Sequence, residues 1–289
     1  MKTPTVNYRK EKVADLNIFY REAGSKDAPV VLLLHGYPTS SHMFRNLIPI
    51  LSEKYHVIAP DLPGFGFTDA PNYKEFTYTF DNLTKYIQGF IDQLGLKRFA
   101  IYVFDYGAPV GYRLAVANPE KITGIISQNG NAYVDGLSDS WNPIQKYWAE
   151  PNEENRNNLR AMVAPGTTQW QYFTGVSDPT LIAPESYSLD QFFLDRDENV
   201  ELQLDLMKDY ASNVALYPTF QQYFRDKQPP LLAAWGNKDP FFLPPGAEAF
   251  KRDIPNATVK FFDTGHFALE THVNEIGQEI LNFLAKLPE

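Results

Sequence analysis

Brief aliphatic runs recur along the chain at Leu16–Tyr20, Val30–Leu34, Val57–Ala59, Phe99–Phe104, Ile122–Ser127, Leu231–Trp235 and Val259–Phe262. Most are β-rich and bounded by Gly, Pro or Asp, as interior strands of a parallel sheet are. Helical spacing fills the gaps. In Phe80–Leu94 the apolar residues Phe80, Leu83, Ile87, Ile91 and Leu94 fall three or four apart, and Gly95 supplies a stop. Val273–Leu287 repeats the pattern with Ile276, Ile280 and Leu284 on one face. Alternation of this kind predicts an α/β fold with a doubly wound, mostly parallel sheet. It lapses between about Asn131 and Lys227, a stretch rich in Trp, Tyr, Asn and Pro, and resumes at Pro229. The expected organisation is a core of residues 1–130 and 228–289 with an inserted, mainly helical cap over 131–227. A length of 289 residues suffices for one such domain.

Charge and composition exclude several classes. A net charge of −9 opposes nucleic acid and anionic membrane as partners. With no cysteine, a disulfide framework, a thiolate zinc site and a Cys nucleophile are excluded together. No apolar stretch follows Met1-Lys2-Thr3-Pro4, and the five residues of Val30–Leu34 are too few to cross a bilayer. The expectation is a soluble, cytoplasmic protein.

The chemistry is carried by residues at strand ends. The Phe99–Phe104 run leads straight into Asp105, then Gly107 and a helix-like stretch. A polar side chain at such a turn projects from the carboxyl edge of the sheet, where open α/β folds bind ligands. The following helix N-terminus brings N–H groups and a positive dipole beside it. Taken alone, Asp105 could equally cap that helix. Two further loops give it company: Trp235-Gly-Asn-Lys-Asp239 follows one strand and Phe262-Asp-Thr-Gly-His266 follows the last. Nucleophile, acid and histidine then occur in the order Asp105, Asp239, His266. Leu34-His-Gly-Tyr37 follows another strand, so the Tyr37 and Tyr106 N–H groups could form an oxyanion hole.

On these pieces the sequence resembles the α/β-hydrolase superfamily, and within it the branch of epoxide hydrolases and haloalkane dehalogenases. The matching segments are His35-Gly-Tyr-Pro-Thr-Ser-Ser41, Asp61-Leu-Pro-Gly-Phe-Gly66, Asp105-Tyr-Gly-Ala108, Asp239 and Gly265-His266. The resemblance covers nearly the whole chain and is weakest in the cap. It implies attack by the Asp105 carboxylate on a saturated carbon and hydrolysis of the resulting alkyl ester by water. His266 would deprotonate that water, with Asp239 orienting the imidazole.

The branch's dehalogenases hold the departing halide with a Trp after the nucleophile and a Trp or Asn elsewhere. The corresponding residues here are Tyr106 and Tyr37, so the expected donors are missing. Its epoxide hydrolases protonate the ring oxygen with two cap tyrosines, for which Tyr172 and Tyr217 are the candidates, each with ordinary packing as the alternative. Phe104 and Trp141 either line the pocket or pack. The order of expectation is epoxide hydrolysis, then dehalogenation, then ester or lactone hydrolysis, then a non-catalytic small-molecule receptor. The partners are a small apolar organic substrate and water, with no cofactor. His42, His56 and His272 lack metal-ligand spacing, and the His266/Glu270 pair lacks a second histidine, so no metal is expected. His35 reads as a scaffold residue. Asp135 is a second position for the acid, less suited because it lies several residues past its strand and Asn129 sits nearer.

Overall fold

All seven aliphatic runs become strands in the computed structural model, which describes residues 5–287. They are β2 (Leu16–Ala23), β3 (Val30–Leu34), β4 (His56–Pro60), β5 (Phe99–Phe104), β6 (Ile122–Gln128), β7 (Leu231–Gly236) and β8 (Thr258–Phe262). An eighth strand, β1 (Asn7–Val13), was not anticipated. Its sequence, Asn-Tyr-Arg-Lys-Glu-Lys-Val, has no apolar alternation because it is an exposed edge, held only by antiparallel pairing with β2 from Asn7↔Glu22 to Val13↔Leu16. Charge on an edge strand discourages further pairing.

The strand order is β1-β2-β4-β3-β5-β6-β7-β8, antiparallel as far as β4 and parallel from β4 to β8. The order reverses at β3, whose neighbours are β4 and β5. The loops after β3 and β5 therefore leave the carboxyl edge side by side, at the crevice where such sheets bind ligands.

Helices cover both faces: α1 (Leu47–Leu51), α2 (Phe80–Gln93), α3 (Gly107–Ala117), α4 (Asn142–Ala149), α5 (Glu153–Asn158), α6 (Pro165–Phe173), α7 (Pro184–Leu194), α8 (Asn199–Lys227), α9 (Pro244–Asp253) and α10 (Ala268–Leu284). Thr79 caps α2 by accepting from the Asn82 N–H, and Gly95 at φ 67° lets the chain leave it. The last helix starts five residues before the expected Val273, because a kink at His272 joins a short first turn to the amphipathic stretch. Strand alternation divides the core. Ile101 and Val103 of β5 face α2 and α3, whereas Tyr102 and Phe104 face α1 and α10.

Between β6 and β7 the described residues hold helices and loops, α4 to α8, and no strand of the sheet. Among the described residues no helix is long and apolar enough to cross a membrane.

Candidate active site

Asp105 follows the last residue of β5 and precedes α3, with its backbone at φ 46°. That left-handed conformation is costly for a residue with a side chain, and such strain persists where the surroundings impose it. Here they do. A Cβ on Gly107 would lie 2.3 Å from the Leu34 carbonyl oxygen, and one on Gly36 would lie 2.3 Å from Asp105 Oδ1 and 2.6 Å from the Tyr106 nitrogen. The β3 loop and the turn after β5 can approach this closely only where both carry glycine. Gly36→Ala should therefore shift the Asp105 carboxylate and lower kcat by about 100-fold. Steady-state kinetics, read beside an unchanged circular dichroism spectrum, checks this.

The close approach supplies two donors. Tyr37 N–H donates to Asp105 Oδ1 at 2.6 Å, and Tyr106 N–H also bonds the carboxylate. These bonds, with the nearby imidazole, favour the ionised form, but burial outweighs them and pushes the carboxyl up to about 6.

His266 follows β8 and Asp239 follows β7. The imidazole Nδ1 lies 2.7 Å from Asp239 Oδ2, and its Nε2 lies 3.9 Å from Asp105 Oδ2. Asp239 is 2% exposed, and its oxygens also accept from Asn129 Nδ2 at 2.7 Å and the Phe241 N–H at 2.7 Å. Three acceptor bonds fix the carboxylate, which in turn leaves Nδ1 protonated and Nε2 as the lone-pair nitrogen facing Asp105. Burial opposes the imidazolium, yet the Asp239 charge and hydrogen bond, then Asp105, raise His266 above its ordinary value. Asn129 stands at φ 46°, directly after β6, and binds the acid. Asp135 is elsewhere, ion-paired with Arg252 at the surface.

The remaining expected residues divide. Phe104 is fully buried on the α10 face, its ring 4.6 Å from that of His266 and 5.4 Å from that of Phe267. It supports the imidazole from beneath and does not line a pocket, a correction that follows from strand alternation. Tyr172, on α6, gives its hydroxyl to Asp190 Oδ2 at 2.5 Å and stacks flat on Phe267, which removes it from the Asp105 side. Tyr217, on α8, is buried and accepts from Asn131 Nδ2 at 3.2 Å, so its own proton remains free to be donated. Burial raises its hydroxyl to about 12, with the Asp105 charge acting in the same direction.

Tyr210 escaped the sequence analysis. It is 1% exposed, its hydroxyl has no hydrogen-bond partner among the described residues, and the charge of Asp105 helps hold it protonated after burial and Tyr217. Its ring lies 4.5 Å from Trp141 and 5.8 Å from Tyr106. The spacing of Tyr210 and Tyr217, two helical turns apart on one face, was the available signal. Trp141 forms the wall behind Tyr210, with its indole N–H donated to the Phe241 carbonyl at 3.2 Å.

His35 is a loop fastener: Nε2 accepts from the Leu62 N–H at 2.9 Å and Nδ1 bonds the Gly36 carbonyl at 3.0 Å. Asp61 anchors the neighbouring turn by accepting from the Ser41 and Phe67 N–H groups. His56 pairs with Glu22 and His272 with Thr271. No cluster able to hold a metal ion occurs among the described residues.

Comparison with known proteins agrees with this architecture. A family model described as the alpha/beta hydrolase fold matches residues 29–273. A hydrolase of Saccharomyces cerevisiae, itself uncharacterised, is 46% identical over 96% of this chain and 97% of its own length. A haloalkane dehalogenase of Bradyrhizobium diazoefficiens is 39% identical over 120 residues, which span 42% of this chain and 38% of that protein. The crystal structure of DBJA superposes with a TM-score of 0.82 at 23% identity, covering 96% of this chain and 97% of that one, a likeness of fold. This chain belongs to the α/β-hydrolase family and is a hydrolase with haloalkane dehalogenase-like relatives.

Proposed function

We propose that this hydrolase opens epoxides to vicinal diols through an alkyl-enzyme ester on Asp105. One observation carries the choice of substrate: two buried phenols, Tyr210 and Tyr217, stand near the Asp105 charge with protons to give, while no buried indole N–H is free. Of the four tryptophans, Trp141, Trp148 and Trp235 each donate to a backbone carbonyl, and Trp170 is 44% exposed. An epoxide oxygen needs a proton as its C–O bond breaks, and a phenol supplies one. A halide needs only donors that keep their protons.

In the first half-reaction Asp105 Oδ2 attacks a ring carbon, the C–O bond breaks, and a Tyr210 or Tyr217 proton passes to the departing oxygen. In the second, water attacks the ester carbonyl as His266 Nε2 takes its proton. The developing oxyanion on Oδ1 rests against the Tyr37 and Tyr106 N–H groups. Water cleaves the acyl–oxygen bond, returns the carboxylate and releases the diol. Esterification removes the Asp105 charge, one of the groups that raise His266. The imidazole thus becomes easier to deprotonate just when it must act as base. The segment 131–227 acts as the cap over this site. The only cation pulling on Asp105 is the imidazole, which favours an uncharged, apolar substrate.

Incubation with styrene oxide and 1-bromobutane tests the proposal, following diol and bromide. Diol is expected. Bromide released at enzymatic rates, with no diol from any epoxide tried, would put dehalogenation first, the reading favoured by the haloalkane dehalogenase relative.

The pH dependence has a defined sign. Asp105 attacks only when ionised, and burial raises its carboxyl to about 6. Ester formation should therefore fall about tenfold per unit below pH 6 and level off above it. Single-turnover rates measured between pH 5 and 8 check this; a flat profile down to about pH 4, the range of an ordinary carboxylate, would remove Asp105 from the step.

A further inference from the structure

A buried polar clasp joins the helices of the 131–227 segment to the strand-end that carries His266, and neither half-reaction accounts for it. Asp190, on α7, is fully buried, and one of its oxygens, Oδ2, accepts the Tyr172 hydroxyl at 2.5 Å. The Tyr172 ring stacks on Phe267 with centroids 3.8 Å apart and planes 2° from parallel. Phe267 is the residue after His266, and its ring meets Phe104, which underlies the imidazole. One helical turn before Asp190, Ser186 on the same face of α7 bonds both Arg45 Nη2 at 2.8 Å and Glu270 Oε2 at 3.1 Å. Glu270 closes the ring with a bidentate pair to Arg45, at 2.9 and 2.8 Å. The i, i+4 relation between His266 and Glu270, useless for a metal, thus sets the fastening point four residues beyond the imidazole.

We infer that Asp190 is a positioning residue for His266: through Tyr172 and Phe267 it holds the imidazole at the distance from Asp105 that hydrolysis of the alkyl-enzyme requires. The inference rests on the ester mechanism proposed above. A carboxyl placed here is expensive. Burial pushes Asp190 up to about 7, against the Tyr172 and Thr39 hydroxyls and Arg45, with Glu270 adding to the rise. Its second oxygen, Oδ1, has no hydrogen-bond partner among the described residues. Stability alone would favour an apolar side chain at such a point, so the carboxyl is retained for the contact it makes. That contact restrains the Tyr172 ring in the one direction stacking leaves free, sliding across Phe267.

The consequence is unequal for the two half-reactions. Asp105 attacks through its own carboxylate, held by Tyr37 and Tyr106. Hydrolysis needs Nε2, the ester carbonyl and a water aligned together, and misplacements of the order of 1 Å cost about 100-fold in such steps.

The test is rapid-quench mass spectrometry on the full chain with styrene oxide, timing both appearance and decay of the adduct. Asp190→Ala and Tyr172→Phe should each slow decay about tenfold and leave formation within about twofold of wild type. Asp190→Asn keeps an acceptor for the Tyr172 hydroxyl and should recover most of the loss. Tyr172→Phe preserves the stacked ring, so it decides the matter where Asp190→Ala fails to fold. Equal slowing of formation and decay, or no slowing of either in folded Tyr172→Phe, would overturn the positioning role. Wild type that turns over epoxide without any adduct would instead overturn the ester mechanism, and this inference with it.

Discussion

Asp105→Asn is expected to lose epoxide turnover by about 10,000-fold or more, to form no adduct and to keep its fold. Asparagine is the correct probe because the residue sits at φ 46°, a conformation Asn accepts more readily than Ala, so loss of the nucleophile is not confused with loss of the turn. An amide still accepts from Tyr37 N–H through its carbonyl oxygen, and only the negative charge disappears. The charge also has a measurable cost to the fold. Burial raises the carboxyl to about 6 from its ordinary 3.8, so the folded protein favours the protonated form. The ionised form is therefore penalised progressively from about pH 4, and fully once the pH exceeds 6. Asp105→Asn should accordingly raise Tm relative to wild type at pH 8 and leave it nearly equal at pH 4. Thermal scans at the two pH values, beside kcat, separate the roles. A variant that keeps even a tenth of wild-type turnover would mean that the carboxylate does not attack carbon, and an ester or lactone hydrolase would become the better description.

Much of this molecule can be read from its sequence because parallel strands buried on both faces must be short and aliphatic, and each of the seven runs obeys. The reactive groups were legible for the same reason. Asp105, Asp239 and His266 each stand just past such a run, and the sheet, not the loops, brings them together. Legibility fails where tertiary contacts decide. The edge strand β1 is polar throughout most of its length, and only its pairing with β2 reveals it. Phe104 was grouped with the pocket because it adjoins Asp105 in sequence, yet a period of two sends it to the opposite face from Val103. Between β6 and β7, spacing says little about which helix face turns inward. Tyr172 and Tyr210 are both buried tyrosines, and only the partner of each hydroxyl, Asp190 for one and none among the described residues for the other, tells them apart. Polar satisfaction is a property of the fold, and residues of one type in one segment acquire different chemistry through it.

His266→Gln should separate the two halves of the reaction. Glutamine has roughly the bulk of the imidazole and can still bond Asp239, whose oxygens keep Asn129 and the Phe241 N–H. Attack by Asp105 does not consume a proton from His266, so one equivalent of epoxide should still add. Hydrolysis of the ester loses its general base and should slow by about 100- to 10,000-fold. The expected trace is a burst of one substrate per enzyme followed by a stall, with the protein heavier by one whole substrate molecule. The imidazole also lowers the Asp105 carboxyl through its charge, so the burst itself should need a somewhat higher pH than in wild type. The same spectrum arbitrates between substrates, because displacement at an alkyl halide adds only the alkyl group while epoxide opening adds every atom of the ring compound. Steady turnover of His266→Gln at a rate near wild type would show that water reaches the ester without the imidazole. Absence of both burst and adduct in the folded variant would mean that His266 acts before the carbon–oxygen bond forms, as it does where a histidine activates a nucleophile instead of a water.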